Sequence, residues 1–253
     1  MALSKIALNT TDWSLLVMNL PKLGQALAPG LQKLSPFRRR GGEPPPDTLP
    51  RVFLVVEGQN DIQFLQRISG ILHAEDSRVP DLQQWQLQRK VMFVPSGGGD
   101  SHAWRFRLTP LGRPQFFLFD RDVPPVTERR LATAEMLNSR PNCIAVLTQR
   151  RALENYLHGD AIFEASGVRV SVSGSINLAD SVARLVHERA GKTICWESLP
   201  GRARKRQRDR AKQWLNTRAV DRMTPARLAE SDPAKEICSW LEAIARLATT
   251  GTA

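Results

Sequence analysis

The chain has 253 residues, of which 42% are hydrophobic and 24% are charged, and no apolar run approaches the roughly 20 residues that span a bilayer, so we expect no membrane segment. Its three cysteines lack CxxC spacing, which argues against a zinc site or a disulfide framework and favours a reducing cytoplasm. The 36 basic and 25 acidic residues give a net charge of +11, which favours a polyanionic partner, most simply nucleic acid, although membrane surfaces attract basic proteins too.

Residues 1–50 differ in texture from the rest of the chain. The stretch TDWSLLVMNLPKLGQALAPGLQKL has a loose helical periodicity of leucines, and SPFRRRGGEPPPDTLP is punctuated by proline, glycine and arginine. We predict an N-terminal arm followed by a linker, because nothing apolar repeats in the second stretch. A helix that binds a partner or a membrane surface is the alternative for the arm.

Four short apolar runs follow, namely VFLVVE, VMFVPSGGG, QFFLFDRD and CIAVLTQR. Each is rich in β-branched or aromatic residues, and each precedes a stretch that can be helical. Continuous apolar strands of this kind are typical of a parallel sheet covered on both faces. We therefore predict an α/β, Rossmann-like domain over residues 51–165, with a mainly parallel four-stranded sheet flanked by helices.

Residues 166–253 are predicted to be basic, mainly helical and packed on that domain. NLADSVARLVHERA and DPAKEICSWLEAIARLA are amphipathic, whereas GRARKRQRDRAKQWLN is strongly basic. A basic helix of this kind supplies affinity for phosphates rather than chemistry. The candidates for binding nucleic acid are Arg202, Arg204, Lys205, Arg206, Arg208 and Arg210.

Carboxylates follow the ends of three predicted strands. Glu57 ends the first strand, with Asp61 one helical turn later, Asp120 and Asp122 end the third, and Glu154 follows the fourth. Each has an ordinary explanation alone, such as a helix cap for Asp61 or a turn residue for Asp120. The carboxyl ends of parallel strands meet at one edge, however, and converging carboxylates repel unless a cation is bound. Such hard oxygen ligands suit Mg²⁺ or Mn²⁺.

The second predicted strand ends in PSGGGD, which includes Asp100. Glycines allow the backbone to approach a phosphate closely, since they carry no side chain. A flexible turn explains the same residues equally well.

The segments VVEGQND, FLFDRD and RRALENYL together resemble the TOPRIM domain, which occurs in topoisomerases, bacterial primases and nucleases of the overcoming-lysogenization-defect (OLD) type. The general pattern is a Glu-Gly after the first strand, here Glu57-Gly58, and an Asp-x-Asp after the third, here Asp120-Arg121-Asp122. Asp61 and the ENYL segment resemble the OLD-type branch. A lone EG or DxD motif would be weak evidence for this resemblance, but the motifs together and in order are strong evidence.

The resemblance implies a metal-dependent phosphodiesterase with two ions, Mg²⁺ or Mn²⁺. It implies that Glu57 and Asp61 hold one ion, with Glu154 completing its shell. Asp120 and Asp122 would hold the second ion, and Glu57 would bridge the two or act as general base.

The resemblance also implies a lysine near the C-terminal end that stabilises the transition state. Lys205 and Lys212 are both candidates, and Lys212 is preferred because it directly precedes QWLN.

The leading hypothesis is therefore an endonuclease that cuts DNA or a structured, tRNA-like RNA, with a role in anti-phage defence that rests on family analogy. The sequence contains no GxxxxGK[ST] motif, so any control by ATP requires a separate ATPase or regulatory subunit. The sequence is also compatible with an oligomeric protein. A primase or a recombination-associated TOPRIM protein would need nucleotide-binding or zinc elements that we do not find. The non-enzymatic alternative is a basic module that binds nucleic acid or a partner, with structural acids.

Overall fold

The computed structural model describes residues 49–97 and 104–250. The predicted arm and linker over residues 1–50 fall almost entirely outside the described residues. Asp100 also lies outside them.

The centre of the fold is a four-stranded sheet in which every strand pair is parallel. Its order is β2-β1-β3-β4, and one row of the register runs Val94, Val55, Phe117 and Ala145. The carboxyl ends of all four strands therefore lie at the same edge. The predicted α/β class with a parallel sheet flanked by helices is confirmed. The strands are β1 (Val52–Val56), β2 (Val91–Pro95), β3 (Gln115–Phe119) and β4 (Cys143–Leu147).

Helices surround the sheet and form most of the chain after residue 159. The helices are α1 (Gln59–Glu75), α2 (Leu82–Leu87), α3 (Trp104–Arg107), α4 (Val126–Asn138), α5 (Gly159–Ser166), α6 (Leu178–Arg189), α7 (Gly201–Trp214), α8 (Pro225–Ser231) and α9 (Glu236–Thr250). Short 3₁₀ turns occupy Thr109–Leu111, Leu153–Tyr156, Trp196–Ser198 and Val220–Arg222, and a π turn, Leu215–Ala219, directly follows α7. Within residues 49–97 and 104–250, no helix combines the length and apolarity needed to span a bilayer.

Polar side chains fix where several helices begin. Asp81 accepts hydrogen bonds from two backbone N–H groups at the start of α2, and Asn177 accepts one from Asp180 at the start of α6. Thr224 does the same for α8, where Pro225 takes the first helical position. Such caps satisfy N–H groups that have no partner inside the helix.

The core lies on both faces of the sheet because side chains alternate along each strand. On one face, Phe53 and Phe117 pack with Leu137 of α4. On the other, Leu54 packs in a larger cluster that includes Trp240 of α9. Residues from before and after residue 165 thus share one core, and each buried Phe or Leu contributes about 1.5–3 kcal/mol relative to exposure.

Candidate functional site

The end of β1 positions Glu57 and Asp61. The Oδ2 atom of Asp61 accepts a hydrogen bond from the Gly58 N–H at 2.9 Å, so this side chain stabilises the first turn of α1. The pKa of Asp61 is raised to about 6, chiefly by burial; the nearby carboxylates of Glu57 and Glu154 contribute to the rise, while Lys212 and the Gly58 hydrogen bond oppose it.

The chain that follows β2 lies next to Glu57 at the end of β1. Gly97 has a φ of 87°, a left-handed conformation that favours glycine. Its N–H donates to the carbonyl of Glu57 at 3.0 Å. The beginning of the SGGGD segment therefore lies beside the end of β1, and the rest of that segment is outside the described residues.

Asp120 is a buried carboxylate directly after β3. Its Oδ1 atom accepts a hydrogen bond from the Leu153 N–H at 3.1 Å, and its Oδ2 atom lies 3.9 Å from the Nζ of Lys212. Burial raises the pKa of Asp120 well above its usual value, and the charge of Asp61 raises it further, while Lys212 lowers it. Asp120 thus links the end of β3 to the turn after β4 and to α7.

Arg130 of α4 lies between two of the predicted ligands. Its Nη2 atom is 3.2 Å from Glu57 Oε2, and its Nη1 atom is 3.8 Å from Asp122 Oδ2. It also donates to the backbone carbonyl of Asp120. Sequence reasoning missed this arginine, because its helix carries no motif at a strand end. A guanidinium in this position holds the carboxylates in place while it balances their charge.

Asp122 has a left-handed backbone with a φ of 58°, which aspartate tolerates better than most residues. Its N–H donates to the carbonyl of Arg151 at 2.8 Å, and its Oδ1 lies 3.9 Å from the Nε of Arg151. The end of β3 is therefore tied to the segment after β4 at Asp122 as well as at Asp120.

Glu154 lies on the 3₁₀ turn Leu153–Tyr156 and is buried. Its Oε2 atom has no hydrogen-bond partner among the residues that the structure describes. The next residue, Asn155, fixes the turn because its Nδ2 donates to the carbonyls of Ser173 and Ile176 at 2.8 and 3.1 Å. A rigidly held, buried acceptor without a partner is suited to a bound cation.

The two candidate lysines are placed very differently. Lys212 lines a cavity at the carboxyl edge of the sheet, which we call the acidic cavity because Glu57, Asp120, Asp122 and Glu154 also line it. Lys205 does not line that cavity and pairs with Asp209 at 2.8 Å on the surface. Burial alone would lower the pKa of Lys212, but the carboxylates, led by Glu154 and Asp120, more than offset that effect and raise it. Lys212 is thus held in its charged form next to the acids.

The basic residues of α7 divide in the same way. Arg208 lines the acidic cavity, and its Nε atom lies 3.5 Å from Asp180 Oδ1. Arg206 and Arg210 line a different cavity. Arg202 and Arg204, near the start of the helix, line neither of the two cavities.

The acidic cavity is open and measures about 210 Å³. Asp61 does not line the cavity, but its charge acts on Asp120 and Lys212, which do. The carboxylates that line the cavity with Lys212 are Glu57, Asp120, Asp122, Glu154 and Asp209.

In residues 49–97 and 104–250, no three His, Cys, Asp or Glu side chains form a group arranged to hold a metal ion. The five acidic side chains at the cavity nevertheless offer carboxylate oxygens, the type of ligand that Mg²⁺ and Mn²⁺ prefer. Glu154 also has an oxygen without a partner in the described part of the chain. The donor chemistry therefore fits a hard divalent cation.

No protein-family model matches the chain, and no curated protein matches it. A solved structure, the C-terminal region of the Xanthomonas campestris pv. campestris OLD protein, is similar over 79% of this chain and 98% of its own, with a TM-score of 0.40 and 14% sequence identity. A likeness this distant leaves the function to be argued from the geometry of the site.

Proposed function

We propose that the protein is a divalent-cation-dependent nuclease that hydrolyses phosphodiester bonds in DNA or structured RNA. The observation that carries the proposal is the grouping of strand-end carboxylates with Lys212 around one cavity, beside a basic helix. The net charge of +11 favours a polyanionic substrate. The ordered motifs that resemble the TOPRIM pattern also support the proposal, through the same carboxylates.

Glu57, Asp120, Asp122 and Glu154 would hold the cations, because these are the strand-end and turn carboxylates that reach the cavity. When bound, two Mg²⁺ or Mn²⁺ ions supply an activated water and stabilise the leaving oxygen. Asp61 does not line the cavity, so it would contribute only through its negative charge.

The chain's own residues would bind and orient the phosphate. Lys212 presents a charged amine at the cavity and would stabilise negative charge that develops on the phosphate. Arg208 lines the same cavity and could contact a neighbouring phosphate oxygen. The Glu57 side chain is 32% exposed, so it is accessible to water and could accept a proton from it.

The test uses purified protein incubated with plasmid DNA and with total RNA, in Mg²⁺, Mn²⁺ or EDTA. We expect cleavage by the wild type that EDTA abolishes, and a loss of at least about 100-fold in Asp120→Asn, because a charge essential to the site is removed. Asp76→Asn is the matched control, since Asp76 pairs with Arg78 on the surface away from the site. Cleavage by Asp120→Asn at the wild-type rate would contradict the proposal.

The alternative is a binding module with a structural acid cluster. Arg130 and Lys212 favour it, because they already balance part of the carboxylate charge without a metal. This alternative predicts no cleavage with either metal. It also predicts that Asp120→Asn binds nucleic acid at least as well as the wild type, since a negative charge is lost.

We further propose control by a separate ATPase or regulatory subunit and a role in defence against phage, both implied by the sequence resemblance. A nuclease acting without control would be toxic to its own cell. The efficiency of phage plating on cells that express the wild type or Asp120→Asn tests the role. Equal plating on the two strains over a panel of phages would contradict it.

A further inference from the structure

A second cavity lies on the opposite side of α7 from the acidic cavity. It measures about 470 Å³ and is bounded by α5, α6 and α7. We call it the α7 groove and define it by Val186, Lys192, Arg206, Arg210 and Trp214. Pockets that hold small organic ligands measure about 300–1,000 Å³, so the groove is large enough for one nucleotide unit.

Helical geometry explains how one helix lines both cavities. Each residue advances about 100° around an α-helix, so Arg206, Arg210 and Trp214 form a stripe on one face. Arg208 and Lys212 lie on a stripe roughly opposite. The helix α7 is therefore a wall between the acidic cavity and the α7 groove, and it presents cations to both.

The cations on the two sides differ in their partners. Lys212 and Arg208 lie near the carboxylates of Asp120 and Asp180. Within the described part of the chain, Lys192, Arg206 and Arg210 form no ion pair, and no carboxylate lines the α7 groove. These three exposed cations are thus available to an external anion.

Apart from Ser166 and Gln207, the rest of the α7 groove is apolar or aromatic. Trp214 packs on the core with part of its surface and borders the groove with another. Val186 lies across from it and is 45% exposed. A cationic rim beside an aromatic side chain is the combination that binds single-stranded nucleic acid, in which unpaired bases stack while phosphates pair with the cations.

We propose that the α7 groove holds a single-stranded segment of DNA or RNA that extends from the acidic cavity across α7. A base lies against Trp214 and Val186, and the flanking phosphates contact Arg206, Arg210 and Lys192. The inference rests on the proposed function in one respect, since both make nucleic acid the ligand. The bases of a duplex are paired and stacked on one another, so they are not free to stack on Trp214, and the groove selects unpaired strands.

The test measures equilibrium binding in EDTA, where a metal-dependent enzyme cannot cut. Labelled oligonucleotides of about 12 nucleotides are used as single-stranded DNA, single-stranded RNA and duplex DNA, at several salt concentrations. The variants are Arg206→Ala/Arg210→Ala, Trp214→Leu and Trp214→Phe. The control pair is Arg51→Ala/Arg129→Ala, which removes the same charge from exposed positions that line neither cavity.

We expect at least one single-stranded polymer to bind more tightly than duplex, and the preference between the DNA and RNA arms identifies it. Arg206→Ala/Arg210→Ala should lower the slope of log affinity against log salt by about 1.4, at about 0.7 per phosphate contact. Trp214→Leu should weaken single-strand binding by about 5- to 150-fold without changing that slope. Trp214→Phe keeps an aromatic ring and should retain most of the affinity.

An unchanged slope in Arg206→Ala/Arg210→Ala, or an equal loss in the control pair, would overturn the inference. So would equal losses for duplex and single strands. Thermal unfolding of each variant establishes that it is folded, and the exposed arginines keep the test valid should Trp214→Leu misfold. If the variants bind as expected but the wild type cuts in no metal, only the proposed nuclease activity is refuted. If the wild type cuts but the groove variants bind nucleic acid as the wild type does, only the proposed role of the α7 groove is refuted.

Discussion

Asp61 stabilises the fold through its hydrogen bond to the Gly58 N–H and destabilises it through the burial of its charge. Its carboxylate accepts the Gly58 N–H at the start of α1, yet burial raises its pKa from 3.8 to about 6. The folded state therefore holds the proton more tightly than the unfolded chain does. The resulting penalty on folding is absent below about pH 4, grows between about pH 4 and 6, and is complete above that range.

Asp61→Asn should be more stable than the wild type at pH 7 in EDTA, because asparagine keeps an oxygen for the Gly58 N–H and carries no charge. The difference should shrink as the pH falls toward 4. Urea unfolding at a series of pH values measures it. A variant that is less stable over the whole range would show that the charge of Asp61 favours the fold.

The lysines of α7 provide a matched pair. Lys212→Met should lower cleavage by at least about 100-fold, since it removes the cation that lies 3.9 Å from the Asp120 carboxylate. Lys205→Met removes a surface pair with Asp209, which is worth less than about 0.5 kcal/mol. Rates measured with both variants on the same substrate decide between the lysines, and equal losses would argue against a special role for Lys212.

Arg130 shows what sequence reasoning could and could not reach. The carboxylates were predictable because a parallel sheet brings its strand ends to one edge, and Glu57 and Asp120 both follow buried strands. Arg130 lies 73 positions from Glu57, within a helix whose docking onto the sheet no local pattern specifies. The sequence also could not show which face of α7 lines which cavity. Arginines occur on both faces, and only the packing of α5 and α6 against one face distinguishes the two.

At the scale of elements, the 3₁₀ turn that carries Glu154 is anchored from α9. The buried Tyr156 hydroxyl donates to Glu236, and the Tyr156 ring packs edge-on against Trp240 at 5.5 Å between centroids. Glu236 also accepts the Gln149 N–H at 3.1 Å. The last helix therefore holds the turn after β4, and with it one wall of the acidic cavity.

Tyr156→Phe should destabilise the protein by about 1–3 kcal/mol, because the half-buried carboxylate of Glu236 loses a partner. Glu236→Gln and the double variant complete a double-mutant cycle, measured by urea unfolding. The two single effects should not add, since each variant breaks the same hydrogen bond. Additive effects would mean that the Tyr156–Glu236 contact does not couple α9 to the turn.

At the scale of the molecule, one core joins the sheet to the C-terminal helices. Leu241 of α9 is 1% exposed within that core. Leu241→Ala should therefore destabilise the whole folded unit by about 2–5 kcal/mol. Circular dichroism and tryptophan fluorescence should report the same unfolding midpoint.

The exposed neighbour Glu242 supplies the control, and Glu242→Ala should change stability by no more than about 0.5 kcal/mol. Separate transitions in Leu241→Ala, with the helical signal lost before the sheet, would instead show that the C-terminal helices fold as an independent unit.

The π turn Leu215–Ala219 sets the rotational phase of α7. A π turn holds one more residue than an α-helical turn does, and the side chains of Asn216 and Thr217 hydrogen-bond back to the carbonyls of Lys212 and Gln213. One residue fewer here would rotate α7 by about 100° relative to the chain that follows. The single extra residue thus acts as an angular spacer, and it determines which side chains of the helix meet the acids and which meet the groove.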